Sequence, residues 1–140
     1  MKSLSLLAVV VCVAVVAAAA AKAPSTADER KRLTGTWRGK MAHESEPSME
    51  LVITPTTISG RSLHDGESLG VGTYDVDPVK KTLDAHGIKD PVSGKTYLGI
   101  YSLEGDTLKW CSNSGSNKRP KDLSVSPTGS HFLMILQRQK

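Results

Sequence analysis

Apolar and polar positions alternate along much of the chain, which is the period of a β-strand. The clearest example is residues 96–111, where two runs rich in β-branched and aromatic residues flank Gly105-Asp106. This pair suits a two-residue primed turn, because glycine tolerates a positive φ. If the two residues form the turn, Tyr101 faces Trp110 across the strands. The stretch is therefore predicted to be a β-hairpin.

One face of this hairpin is mostly apolar. Because side chains alternate along a strand, five residues share that face: Tyr97, Tyr101, Leu103, Leu108 and Trp110. The opposite face carries polar residues such as Ser102 and Lys109. This pattern is typical of a sheet that packs one side against a core.

The same reasoning, with Pro and Gly turn signals between segments, predicts eight strands and no long helix. The predicted strands are residues 36–42, 49–54, 57–63, 70–76, 81–88, 95–103, 107–112 and 130–138, with a brief extended segment at 122–125. Short sequential connections favour an all-β fold, an eight-stranded antiparallel up-and-down barrel. A small open sandwich is the alternative.

The two ends of this region support closure into a barrel. Thr26 and Glu29 fit a capping box, which predicts a short helix over residues 27–33 that Gly35 ends. Trp37 lies in the first strand and Arg138 near the end of the last. Those strands are neighbours in a closed barrel, so Trp37 is predicted to cover the barrel floor with Arg138 stacked on its ring, a contact worth about 0.5–2 kcal/mol.

The N-terminal segment has a different composition. Lys2, an apolar run over residues 4–21 and small residues at 19–23 are typical of a secretory signal peptide. We therefore expect residues 1–23 to be removed, the protein to be exported to the periplasm or the exterior, and residues 24–140 to form one domain without a membrane span. An uncleaved anchor is the alternative, because about 18 apolar residues can just cross a bilayer.

Charge and cysteine content narrow the function classes. Without Lys2 and Lys22, 16 basic residues stand against 14 acidic ones, and the basic residues are scattered. This balance does not favour nucleic-acid binding. Without Cys12, Cys111 is the one cysteine left, so the domain has no intrachain disulfide and relies on its core.

Candidate chemistry is sparse. The four histidines, His43, His64, His86 and His131, fall on separate predicted elements without the spacing of a metal site. No nucleophile-elbow pattern surrounds Ser112, Ser114 or Ser116. We therefore expect neither enzymatic activity nor a cofactor or metal. The polar, basic loop over residues 112–121, with Lys118 and Arg119, is the first choice for contact with a partner or anion, and a solvated connector is the alternative.

Several segments carry a family resemblance. Gly35-x-Trp37 after a short helix, with Arg138 near the end of the last strand, resembles the lipocalin signature. More specifically, the chain is similar to a planctomycete lipocalin-like domain family of unknown function. The segments that carry this likeness are Leu33-x-Gly35-Thr36-Trp37, Gly72-Thr73-Tyr74-x-Val76-Asp77-Pro78, Gly94-Lys95-Thr96, Gly99-Ile100-Tyr101-x-Leu103-x-Gly105-Asp106-Thr107-Leu108-Lys109-x-Cys111, Arg119-Pro120 and the closing residues 133–138.

The family resemblance implies a β-barrel or β-sandwich and no established reaction. The lipocalin relation implies a cup that holds a small apolar molecule.

We expect a non-enzymatic domain that binds a small apolar or amphipathic ligand. The expected binding residues are Tyr97, Tyr101, Leu108 and Trp110, provided that their shared face points inward, whereas Gly35, Trp37 and Arg138 are assigned to structure. The alternative is a protein-interaction or envelope-structural domain with a filled barrel. An apolar cavity of several hundred Å³ (a typical pocket volume) favours the first, and a plugged interior favours the second.

Overall fold

One antiparallel sheet holds nine strands in the computed structural model, which describes residues 24–113, 117–125 and 131–140. The predicted signal peptide, residues 1–23, lies outside the described residues. The elements are α1 Thr26–Leu33, β1 Gly35–Met41, β2 Met49–Ile53, β3 Thr57–Ser62, β4 Ser68–Asp77, β5 Thr82–Lys89, β6 Thr96–Tyr97, β7 Gly99–Glu104, β8 Thr107–Ser112 and β9 Phe132–Arg138.

The sheet closes on itself. Its hydrogen-bonded order is β4-β3-β2-β1-β9-β8-β7-β5-β6, and β4 also pairs with β5. Closure joins the first strand to the last, with Trp37 opposite Arg138. Eight strands therefore form the antiparallel, lipocalin-like barrel that the sequence predicts, and β6 is a short ninth strand beside β5. Closure removes the exposed edges that an open sandwich would keep.

The hairpin of β7 and β8 has the predicted register. Tyr101 pairs with Trp110 and Leu103 with Leu108, and Gly105 supplies the positive φ of the turn at 57°. Tyr101, Leu108 and Trp110 are buried. The apolar face of the hairpin therefore points into the barrel.

Some local boundaries differ from the prediction. The helix begins one residue early, because the Ser25 hydroxyl rather than that of Thr26 accepts the capping bond, from the Asp28 amide at 3.1 Å. Its C-cap is Thr34, which is already extended, so the helix ends before Gly35. Residues 122–125 form bends and an irregular end instead of an extended segment.

The predicted strand 95–103 is divided into β6 and β7. The division falls at Leu98 and Gly99, where side chains replace backbone partners. The Gly99 amide donates to the Asp84 carboxylate at 3.1 Å, and the Gly99 carbonyl accepts from the Arg119 guanidinium at 2.6 Å. The register on β5 is unchanged, with Tyr97 opposite Ala85 and Ile100 opposite Thr82.

The apolar core fills the end of the barrel next to α1, which we call the helix end. Leu33, at the C-terminus of α1, is fully buried there beside Trp37. Tyr74, Tyr101 and Leu136 also belong to this core. The opposite end of the barrel, where β1 finishes at Met41 and β9 begins at Phe132, is called the cavity end.

Candidate ligand-binding cavity

A cavity of about 250 Å³ occupies the cavity end of the barrel. Its lining comes from β2, β3, β4 and β5 on one side and from β6, β8 and β9 on the other, with Val92 from the turn between β5 and β6. Among the described lining residues, Ser59, Tyr97 and Trp110 have polar side-chain atoms, and the Ser59 hydroxyl lies on the outer face of β3, where it donates to the Val52 carbonyl at 3.5 Å. The cavity is therefore an apolar site.

One side of the cavity combines glycines with aliphatic side chains such as Leu51 and Val92. The glycines come from β3, β4 and β5, and we call them the glycine wall: Gly60, Gly70, Gly72 and Gly87. Gly70 has a φ of 125°, and a Cβ there would lie 2.3 Å from Val92 Cγ2. A side chain at this position would therefore be strained and would displace Val92.

The backbone of the glycine wall is also irregular. The β3–β4 register shifts at Gly60/Arg61, and the β4–β5 register shifts at Val71/Gly72. β-Bulges bend a strand locally and are common beside binding sites. Both irregularities fall on residues that line the cavity or directly follow one that does.

The other side of the cavity carries three aromatic rings, Tyr97, Trp110 and Phe132, which we call the aromatic wall. Phe132 lies between the other two, with ring centroids 6.4 Å from Tyr97 and 5.6 Å from Trp110, both edge-on. The Trp110 Nε1 donates to the Leu83 carbonyl at 3.0 Å. This hydrogen bond holds the Trp110 indole in place against β5.

The four residues predicted to bind a ligand separate into two pairs. Tyr97 and Trp110 line the cavity. Tyr101 and Leu108 share their inward face, but they are 2% and 1% exposed and lie in the helix-end core. The distance along the strand explains the separation, because Tyr101 lies about 13 Å beyond Tyr97 and Leu108 about 7 Å beyond Trp110.

Several lining residues were not among the predicted binding residues. On β9, Phe132 and Met134 share one face with Leu136 and Arg138 further along the strand, and Leu133 lies on the opposite face. The spacing from Arg138, already placed beside Trp37, was the signal that could have identified them. The glycine wall had no comparable signal, because glycines in a strand are equally typical of turns and bulges.

Trp37 closes the helix end under Arg138. The Arg138 guanidinium carbon lies 4.3 Å from the indole centroid, and its Nη1 donates to the Thr34 carbonyl at 2.8 Å. A Cβ on Gly35 would lie 2.7 Å from the same nitrogen, so glycine leaves room for the guanidinium. The Trp37 Nε1 donates to the Leu33 carbonyl at 2.9 Å. These contacts tie α1, β1 and β9 together.

Two tyrosines of the helix end differ in hydrogen bonding. The Tyr74 hydroxyl donates to the Thr54 carbonyl at 2.8 Å. The Tyr101 hydroxyl is buried and has no partner among the described residues. Burial raises the pKa of Tyr101, and the negative charge of nearby Glu29, itself fully buried and paired with Arg32 at 3.1 Å, adds to this rise.

Arg119, one of the predicted loop contacts, points to the barrel wall. Its Nη2 donates to Asp84 Oδ2 at 3.0 Å, and its Nη1 binds the other carboxylate oxygen. Burial acts to raise the pKa of Asp84, but hydrogen bonds from Arg119 and the Gly99 amide outweigh it and hold that pKa below its ordinary value. Lys118 is exposed, and its carbonyl accepts from the Asn113 side chain.

The segment 117–125 crosses the outside of the barrel. Cys111, on the outer face of β8, is fully buried, and its sulfur lies 3.7 Å from the Ser124 carbonyl. Burial raises the pKa of the Cys111 thiol. The segment therefore shields a cysteine that would otherwise face solvent. Residues 114–116 of the predicted contact loop lie outside the described residues.

The remaining polar groups do not assemble at the cavity. His86, half-buried on the outer face of the sheet, contacts the exposed Asp75 at 2.9 Å and the exposed Thr96 at 3.3 Å. Within the described ranges, no three His, Cys, Asp or Glu side chains are placed to hold a metal ion. In the same ranges, no helix has the length and apolar character to cross a membrane.

Comparison of the chain with models of known protein families, with curated proteins and with solved structures gave no match. The resemblance to the planctomycete lipocalin-like family therefore stays a prediction.

Proposed function

We propose that the protein binds a small apolar or amphipathic molecule in the cavity and catalyses no reaction. The observation that carries the proposal is an apolar cavity of about 250 Å³ at one end of the barrel. A cavity of about 150 Å³ lined by apolar side chains is large enough to hold benzene, and drug-sized pockets begin at about 300 Å³. The volume therefore suits a small ligand.

The wall structure supports the same function. Filled eight-stranded barrels pack side chains across the whole interior. Here Tyr101 and Leu108 fill the helix end in that way, whereas inward positions at Gly60 and Gly70 contribute no side chain at the cavity end. Burial of apolar surface, at about 25 cal/mol per Å², would supply the binding free energy.

We further propose that the protein acts outside the cytoplasm. The basis is the apolar segment 4–21 behind Lys2, which has the composition of a signal peptide. After its removal, no integral membrane span and no nucleic-acid partner are expected.

Native mass spectrometry of the protein purified from its own host tests the proposal. We expect an additional mass that disappears after denaturing extraction. Ala85→Leu, which places a larger side chain in the cavity where Ala85 is 7% exposed, is expected to remove this mass. Val52→Leu, on the outer face of β2 where Val52 is 39% exposed, is the matched control and is expected to retain it.

A bare chain mass under several growth conditions would contradict ligand binding. The filled helix end, with Trp37 and Leu136 both 0% exposed, would then favour the alternative of an interaction or envelope-structural domain.

A further inference from the structure

The glycine wall and the aromatic wall face each other across the barrel. Around the closed sheet the strands follow the order β1, β2, β3, β4, β5, β7, β8, β9. In a closed barrel of eight strands, strands four places apart lie on opposite sides. β3 therefore faces β8, and β4 faces β9, which sets Gly60 opposite Trp110 and Gly70 opposite Phe132.

This arrangement sets aliphatic and glycine positions opposite aromatic ones. One side combines the glycine wall with aliphatic side chains such as Leu51 and Val92, and the other carries the three rings. Phe132 is edge-on to both of its aromatic neighbours, with interplanar angles of 62° and 77°. Such rings offer faces and edges on which a further aromatic ring packs in the offset or edge-to-face geometry that aromatic pairs prefer.

We infer that the cavity selects an uncharged, planar aromatic ligand of about two fused rings over an aliphatic chain of equal size. The inference rests on the proposed function and adds the ligand class. A planar molecule packs against the aromatic wall without freezing rotatable bonds, whereas an acyl chain must order each of them. The size follows from the volume of about 250 Å³, compared with the space that holds a single benzene ring.

The lining also determines the charge of the ligand. Among the described residues that line the cavity there is no Asp, Glu, Lys, Arg or His. An ion buried there would lose its hydration without gaining a counter-charge, which is strongly unfavourable. The hydroxyl group of Tyr97 remains for a neutral polar group on the ligand.

Isothermal titration calorimetry of the full chain with three probes tests this inference. The probes are 2-naphthol, 1-decanol, which has the same number of non-hydrogen atoms, and 2-naphthoate, which adds a negative charge. We expect 2-naphthol to bind about tenfold more tightly than either of the others. Equal or tighter binding of 1-decanol would overturn the planar selection, and equal binding of 2-naphthoate would overturn the requirement for an uncharged ligand.

Two variants connect the preference to the walls. Phe132→Leu keeps an apolar side chain but removes the central ring, so the ratio of affinities for 2-naphthol and 1-decanol should fall towards one. Ala85→Leu should weaken both probes together, and Val52→Leu should change neither. Circular dichroism establishes that each variant is folded. An unchanged ratio in folded Phe132→Leu would overturn the role of the aromatic wall.

The proposed function and this inference fail in different ways. If 1-decanol binds more tightly than 2-naphthol, the proposed function stands, because the protein binds an apolar ligand, but the inferred ligand class is wrong. Binding of no probe, together with a bare chain mass in native mass spectrometry, overturns both.

Discussion

The two ends of the barrel hold equal numbers of aromatic residues and use them differently. At the helix end each ring has a cation over it, with Arg138 over Trp37 at 4.3 Å, Arg30 over Tyr74 at 4.6 Å and Lys81 over Tyr101 at 5.8 Å. At the cavity end Phe132 contacts both Tyr97 and Trp110, and no cation lies over these rings in the described part of the chain.

This difference shows that aromatic content alone does not define a binding site. The helix-end rings are covered by side chains from α1, β9 and the turn after β4, so their surfaces are already used in folding. The cavity-end rings keep surface that faces an empty volume. Aromatic side chains carry large contact area, and what covers that area decides whether it stabilises the fold or binds a ligand.

The sharpest test of this contrast compares two inward residues of β9. Leu136 is 0% exposed in the helix-end core, so Leu136→Ala is expected to lower the free energy of unfolding by about 2–5 kcal/mol. Met134 lines the cavity and already borders space, so Met134→Ala is expected to cost about 1 kcal/mol. Urea unfolding measures both values. Equal losses of unfolding free energy in the two variants would contradict the distinction between a filled and an unfilled end.

The outer segment provides the next test. Arg119→Ala leaves the largely buried Asp84 carboxylate without its guanidinium partner and is expected to cost about 1–3 kcal/mol at neutral pH. Because the pKa of Asp84 is lowered in the folded protein, its contribution to stability is complete above the ordinary aspartate pKa and is lost as the pH falls through the folded value. The difference between wild type and variant should therefore shrink in acid. Urea unfolding at several pH values measures it, and a difference that is independent of pH would contradict the pairing.

Tyr74 and Tyr101 test the polar contacts of the helix end. Tyr74→Phe removes the hydrogen bond to the Thr54 carbonyl and is expected to cost about 1 kcal/mol. Tyr101→Phe removes a buried hydroxyl without a partner and is expected to raise the free energy of unfolding by about 1 kcal/mol. Thermal unfolding compares the two, and a loss of stability in Tyr101→Phe would show that this hydroxyl has a partner.

The smallest effect is expected from filling the cavity. Ala85→Leu adds apolar surface to an unfilled volume and should stabilise the ligand-free protein by about 0.5–1 kcal/mol. Val52→Leu on the outer face should leave stability within about 0.5 kcal/mol of wild type. Thermal unfolding again gives both values. Destabilisation by Ala85→Leu would indicate that the cavity end is already close-packed.

The sequence contained enough information for the barrel. Alternation grouped the apolar side chains of the β7–β8 hairpin on one face but left open whether that face points inward, and the positions of Trp37 and Arg138 indicated that the first and last strands meet. Alternation has a period of two residues and no marker of depth. It therefore grouped Tyr101 with Tyr97, although only Tyr97 reaches the cavity.

Long-range pairing accounts for the rest. Arg119 binds Asp84, which lies 35 residues earlier in the chain, and the resulting contact with Gly99 divides the predicted strand. No local sequence pattern encodes this contact between distant residues. The glycine wall depends likewise on three strands coming together, so its shape follows from tertiary structure instead of from the properties of any one segment.

The position of Cys111 makes the outer segment observable by covalent chemistry. Cys111 is the one cysteine of residues 24–140, and the segment 117–125 covers its sulfur on the outside of β8. A thiol-specific reagent can react when that covering lifts, while the interior of the barrel stays packed. The labelling rate would then measure how often the segment 117–125 opens locally. Ligands of the cavity could be classified by whether they change that rate.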